Sequence, residues 1–210
     1  LQYRLRFRPE NWLNADDLAL IQRSALASCP AHTVNGSVVL SPTTCKFRPD
    51  KLQCRAERAG QCLTRAQVRS VSSIIRAGFD PTSATVENWG RWIVNSESGA
   101  DSQLTFAEQS HRYLLQQDES WNIMSRNLPK AKNVGTLRAI VNSDSLDLSA
   151  FQARGGKIIS YFGWADAVIS PYQGVRYYAR LAKQTGGFDA LQSYYRLFMI
   201  PAMEHCQGGP

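Results

Sequence analysis

The chain has 210 residues, 43% of them hydrophobic and 20% charged, enough apolar material to bury a sizeable core and too little charge for wholesale disorder. Its net charge of +7 rests partly on Arg4, Arg6 and Arg8 and on Arg55, Arg58, Arg65 and Arg69, which fall in no nucleic-acid-binding motif, so a solvated basic face is expected and a nucleic-acid partner is not. No apolar run approaches the ~20 residues that span a membrane, and Leu1–Arg8 lacks the apolar stretch and cleavage site of a signal peptide.

The first predicted helix runs from Asn14 to Ser28. Asn14 caps it, Asp17 lies in its first turn, and Leu18, Ile21, Ala25 and Leu26 form one apolar stripe. A mostly irregular stretch from Cys29 to Cys62 follows. Thr64 and Gln67 then form a capping box for a helix that carries Val68, Val71, Ile74 and Ile75 at helical spacing and stops at Gly78. From Phe79 to Leu104 the sequence is rich in turns and has no firm period. Thr105 and Glu108 open another expected helix to about Gln117, and an irregular segment with Trp121, Met124 and Pro129 comes after it. Scattered aromatics of this kind, with Trp89 and Trp92, pack a local core or line a pocket.

After Ala150 the character changes. Lys157–Phe162 is a short run of β-formers suited to a strand buried on both faces, and Tyr194–Ile200 is a second. Between them Ser170-Pro171 opens a helix, with Ser170 as N-cap, whose stripe is Val175, Tyr178, Leu181 and Ala182 and which Gly186-Gly187 ends. Strand, helix, strand at this spacing predicts a βαβ crossover and a parallel sheet. Active groups in such sheets collect at the carboxyl ends of the strands. Asp166 follows the first strand and His205 the second, in the order that closes a Ser, Asp, His triad of an α/β-hydrolase. The 210 residues contain no Gly-x-Ser-x-Gly. The other histidines, His32 and His111, lack such placement and are expected to be surface or cap residues.

Cys29, Cys45, Cys54 and Cys62 crowd into one loop-rich segment, whereas Cys206 stands alone. Four cysteines in so irregular a stretch read as two staples in an oxidising compartment. Zinc is the alternative reading, but there is no Cys-x-x-Cys pair and His32 is poorly spaced.

Two segments carry a family resemblance. Gly155-Gly156-Lys157-Ile158-Ile159-Ser160-Tyr161-Phe162-Gly163-Trp164-Ala165-Asp166, with Ile169-Ser170-Pro171 after it, resembles the tannase/feruloyl esterase family. So does Tyr195-Arg196-Leu197-Phe198-Met199-Ile200-Pro201-Ala202-Met203-Glu204-His205-Cys206-Gln207-Gly208-Gly209. The likeness continues more weakly through the spacing of Cys29 to Cys62. It implies a secreted or periplasmic α/β-hydrolase that cleaves esters of aromatic acids, with a disulfide-stapled lid inserted into the core. On that reading residues 1–24 lead into the lid, 25–145 are the lid, and 146–210 are the C-terminal part of the hydrolase core. The nucleophilic serine would then lie outside these residues, both ends read as fragment boundaries, and the chain alone is expected to be inactive.

The same resemblance pairs Cys29 with Cys45 and Cys54 with Cys62. It also gives Cys206 a partner, a cysteine beside the serine in an N-terminal part not present in these residues. Members of the family often bind calcium through an aspartate-rich loop after the first lid cysteine. Here that loop reads Cys29-Pro30-Ala31-His32-Thr33-Val34-Asn35-Gly36, without a carboxylate. Calcium favours several oxygen ligands, usually including carboxylates, so neither calcium nor another cofactor is expected. The competing reading is a non-catalytic secreted binding module derived from such an esterase. The presence of Asp166, His205 and Cys206 together argues against it.

Overall fold

A computed structural model describes residues 9–29, 33–55, 61–82, 86–94, 102–122 and 133–209. After a short 3-10 turn at Pro9–Asn11, helix α1 spans Ala15–Ala27. The Asn14 side chain accepts from the Asp17 amide, and the Asp17 carboxylate accepts from the Asn14 amide. Helix α2 spans Arg65–Arg76 and begins with the same reciprocal arrangement between Thr64 and Gln67. Gln67 also joins the two helix starts, its Nε2 donating to the Trp12 carbonyl at 3.0 Å and to Asp17 Oδ2 at 2.7 Å. The stripes predicted for both helices face one another. Leu18, Ile21, Val71 and Ile74 are buried in one cluster with Leu13 and Leu63. Each fully buried Leu or Ile contributes about 1.5–3 kcal/mol relative to an exposed one.

The cysteine-rich stretch is mostly irregular, as its composition implies. It holds a two-residue hairpin, β1 (Thr33–Val34) against β2 (Val38–Val39), and two 3-10 turns at Pro42–Thr44 and Pro49–Leu52. Disulfides Cys29–Cys45 and Cys54–Cys62 staple it.

Helix α3 (Val86–Trp89) widens into a π-helical turn at Gly90–Val94. Helix α4 (Ser102–Gln109) likewise runs on as π-helix through Ser110–Leu115. Thr105 therefore lies inside α4 and does not cap it; the helix starts one turn earlier. Trp89, Ile93 and Val94 complete the core of α1 and α2, so these aromatic and branched residues pack where the sequence shows no period. Helix α5 (Val134–Val141) and the short α6 (Ser149–Ala153) lead to the last unit.

That unit is strand β3 (Ile158–Gly163), helix α7 (Pro171–Gln184), a short helix α8 (Phe188–Gln192) and strand β4 (Tyr195–Ile200). β3 and β4 are parallel neighbours, with Ile158 beside Tyr195 and Gly163 beside Ile200. Their inner side packs on α7 through a second cluster: Tyr178, Leu181 and Leu191 are buried with Tyr194 and Tyr195, and Ile158 and Leu197 lie against them. The Tyr178 hydroxyl donates to the Tyr195 carbonyl at 2.9 Å, so a buried polar tip is satisfied. The outer side presents Ile159, 75% exposed, with Tyr161 and Phe198. Parallel sheets are normally covered on both faces.

Candidate active site

The β3–α7 loop carries Asp166 and the segment after β4 carries His205. Two backbone bonds lash these segments together: the Trp164 amide donates to the Ile200 carbonyl at 2.9 Å and the Ala165 amide to the Met203 carbonyl at 3.0 Å. Gly163 makes the approach feasible, since a Cβ there would lie 2.1 Å from the Met203 carbonyl oxygen.

Asp166 and His205 meet. The His205 Nδ1 lies 2.8 Å from Asp166 Oδ2. The two carboxylate oxygens have separate tasks. Oδ1 accepts from the Val168 and Ile169 amides, both at 2.8 Å, leaving Oδ2 for the imidazole. The Asp166 side chain is 3% exposed and that of His205 is 41% exposed, so a buried acid holds a solvent-facing ring. With Nδ1 turned to the acid, Nε2 is the ring nitrogen left to exchange a proton with another group. Ala202 and Cys206, flanking His205, have φ of 56° and 65°. Left-handed non-glycine residues of this kind cost about 1–3 kcal/mol each and gather at functional sites. Cys206 is exposed, and its thiol is the free one among the described residues.

The acid loop is built into the helical part of the chain. Ala167 is buried in the cluster formed by α1 and α2. The Asn88 side chain donates to the Ala165 carbonyl at 2.8 Å. Gln103 donates to the carbonyls of Ala167 and Val168 at 3.2 and 2.5 Å. The Ser170 hydroxyl does not cap α7, although Ser170 stands at the N-cap position. It donates instead to the Gly78 carbonyl at 2.8 Å. Close by, the Tyr172 hydroxyl donates to Asp80 Oδ2 at 3.3 Å, and Thr82 donates to Oδ1 through both its amide and its hydroxyl. Burial pushes the Asp80 carboxyl above its ordinary value, against the pull of these donors. Burial, and then the Asp80 charge, raises the Tyr172 phenol.

Other singled-out residues lie elsewhere. His111 is half-buried, stacks on Trp121 with ring centroids 4.8 Å apart and is not a partner of Asp166. His32, Arg58, Arg4, Arg6 and Arg8 fall outside the described residues. Arg65 and Arg69 are exposed along α2. Among the described residues, no group of three His, Cys, Asp or Glu side chains is placed to hold a metal ion. The whole segment from Cys29 to Cys45 contains no Asp or Glu, which does not fit a calcium loop. No described helix is long and apolar enough to cross a membrane. Asn88 and Gln103 escaped the sequence reading. They are common amides in stretches without a period, and only their distant acceptors mark them.

The chain is similar to known proteins over most of its length. Residues 76–210 match the family described as Tannase and feruloyl esterase. An uncharacterized esterase of Xanthomonas campestris pv. campestris is 31% identical over 96% of this chain and 41% of its own length. A probable feruloyl esterase B-2 of Aspergillus flavus is 28% identical over 91% of this chain and 38% of its own length. Among solved structures, feruloyl esterase B from Aspergillus oryzae superposes with a TM-score of 0.81 at 22% identity, over 99% of this chain and 45% of that one. Tannin acyl hydrolase from Aspergillus niger gives 0.65 at 17% identity, over 98% and 45%. These likenesses establish an α/β fold shared with esterases. The chain spans about two-fifths of the length of the curated relatives it matches.

Proposed function

We propose, from the premise that this chain belongs to the tannase and feruloyl esterase family, that it supplies the acid and the histidine of a carboxylic ester hydrolase acting on esters of aromatic acids. The observation that carries the reading is the 2.8 Å contact between His205 Nδ1 and Asp166 Oδ2 at the ends of adjacent parallel strands. In the complete protein a serine hydroxyl, outside these residues, attacks the ester carbonyl. His205 Nε2 takes the hydroxyl proton and then delivers it to the departing alcohol. Asp166 fixes the ring's tautomer and stabilises its cation. Water then enters, His205 takes its proton, and the acid product leaves as the serine is restored.

On this reading residues 146–210 are hydrolase core, 25–145 are a lid, and 1–24 lead into it. The exposed Ile159, Tyr161 and Phe198 are the kind of face that the rest of a parallel-sheet core covers. Cys206, one residue past His205, would pair with a cysteine beside the serine, tying the histidine segment to the nucleophile. The Cys29–Cys45 and Cys54–Cys62 disulfides support secretion or a periplasmic location. Residues 1–210 alone would turn over no ester, because the hydroxyl nucleophile is not among them.

The test is hydrolysis of methyl ferulate and methyl gallate by the full-length polypeptide and by its His205→Ala variant. A loss of roughly 10³-fold or more in kcat is expected. Activity of the variant within tenfold of wild type would reject the assignment. A wild type inactive on both esters would favour a binding module instead.

A further inference from the structure

Resting on the esterase reading above, we infer that Asn88 and Gln103 are positioning residues that grip the backbone around Asp166 and keep its carboxylate aimed at His205. The argument is one of peptide planes. In a trans peptide the C=O and the following N–H lie in one rigid plane and point in opposite directions. Asp166 Oδ1 is fixed by the amides of Val168 and Ile169. The carbonyls on the far sides of those same two planes belong to Ala167 and Val168, and both accept from Gln103 Nε2. One side-chain amide therefore holds the two planes whose opposite edges hold the carboxylate. Asn88 does the same for the plane that enters Asp166, through the Ala165 carbonyl at 2.8 Å. The plane before Asp166 and the two planes after Ala167 are thus held through their carbonyls by residues of α3 and α4.

The Asn88 half of the grip is buried. Asn88 is 4% exposed and Ala165 is 1% exposed. Deleting the donor would leave the Ala165 carbonyl without it in a dry place, at a cost of about 1–3 kcal/mol. The loop relieves such a loss by turning its peptide planes, and that turns Oδ2 away from His205 Nδ1. The bonds of Asn88 and Gln103 to this loop go to its backbone carbonyls, so their effect on the site runs through Asp166. It should fall on the chemical step, with little effect on substrate affinity.

The experiment compares full-length wild type, Asn88→Leu and Gln103→Met, each close in volume but without a donor, on methyl ferulate, alone and combined with Asp166→Asn. Expected are a fall in kcat of about 10–100-fold with KM within about threefold, as for small misplacements in a site, and a further fall below about threefold when the same changes are made in the Asp166→Asn protein, because residues that act through one group are not additive. Should Asn88→Leu fail to fold, Gln103→Met carries the test, because Gln103 is only half-buried. The inference is overturned if His205→Ala abolishes turnover while both donor variants keep kcat within threefold. It is equally overturned if the donor variants lower kcat as much in the Asp166→Asn protein as in wild type, the mark of a merely structural role. An inactive wild type would overturn the esterase reading, and this inference with it.

Discussion

Gly163 and Met203 approach so closely that no other residue fits at position 163. A Cβ there would sit 2.1 Å from the Met203 carbonyl oxygen and 2.7 Å from that of Glu204. Both obstacles are backbone, so a side-chain rotation cannot relieve them. Gly163→Ala should therefore push the histidine segment off the acid loop and break the Ala165–Met203 bond. We expect about 1–3 kcal/mol of lost stability, as for other overpacked sites, and a fall in kcat of tenfold or more. Thermal melting and steady-state hydrolysis of methyl ferulate check the two parts separately.

Asp166→Asn separates the roles of the two carboxylate oxygens. The amide oxygen can still accept from Val168 and Ile169, so the loop should hold its course. The amide nitrogen would present a donor to His205 Nδ1 and favour the wrong tautomer. A loss of roughly 10³–10⁴-fold in kcat with nearly unchanged melting temperature is expected. A loss below tenfold would remove Asp166 from the triad.

Asp80 offers a test by pH. Burial raises its carboxyl above the ordinary 3.8. For such an acid the folded state favours the protonated form. Its contribution to stability is then complete below the unfolded value and is lost as pH rises through the folded one. Wild type should accordingly lose stability relative to Asp80→Asn as pH climbs from about 4 upward. Denaturant unfolding of the two proteins across that range checks the sign; parallel curves would refute it.

The two staples differ in the loop they close. Cys29–Cys45 spans a separation of 16 residues and Cys54–Cys62 one of 8. Loop-closure entropy then assigns about 3 kcal/mol to the first and about 2.5 kcal/mol to the second. Paired Cys→Ser replacements should destabilise the protein in that order, read by urea midpoints at constant slope.

Calcium should matter little. With no carboxylate between Cys29 and Cys45, we expect a chelator to leave the melting temperature of the full-length protein within about 2 °C, less than a 1 kcal/mol change produces in a domain of moderate size. A larger drop would overturn this expectation.

Residue patterns made much of this legible, and for physical reasons. The caps at Asn14 and Thr64 act over three residues, so spacing alone reveals them. The two strands stand out as unbroken runs of β-formers, and the chain order of Asp166 and His205 follows from the βαβ crossover. The pairing of Cys29 with Cys45 and of Cys54 with Cys62 came from family likeness, since four cysteines permit three pairings. What stayed hidden depends on distant partners. The Ser170 hydroxyl reads locally as a helix cap and is drawn instead to the Gly78 carbonyl, where a buried acceptor awaits it. The start of α4 at Ser102 lies one turn before Thr105, where the local spacing points. Asn88 and Gln103 gain meaning only when the acid loop arrives.

The bonds that steady the acid loop join residues far apart in sequence: 92 positions for Ser170 and Gly78, 77 for Asn88 and Ala165, and 65 for Gln103 and Val168. Contacts of such separation form late, because the loop-closure entropy must be met before they can contribute. During biosynthesis β3 and its loop emerge after α1–α4, which by then are free to collapse around their own core. The acid loop is thus assembled against helices that precede it in the chain, so the aim of the Asp166 carboxylate depends on how well those earlier helices have packed.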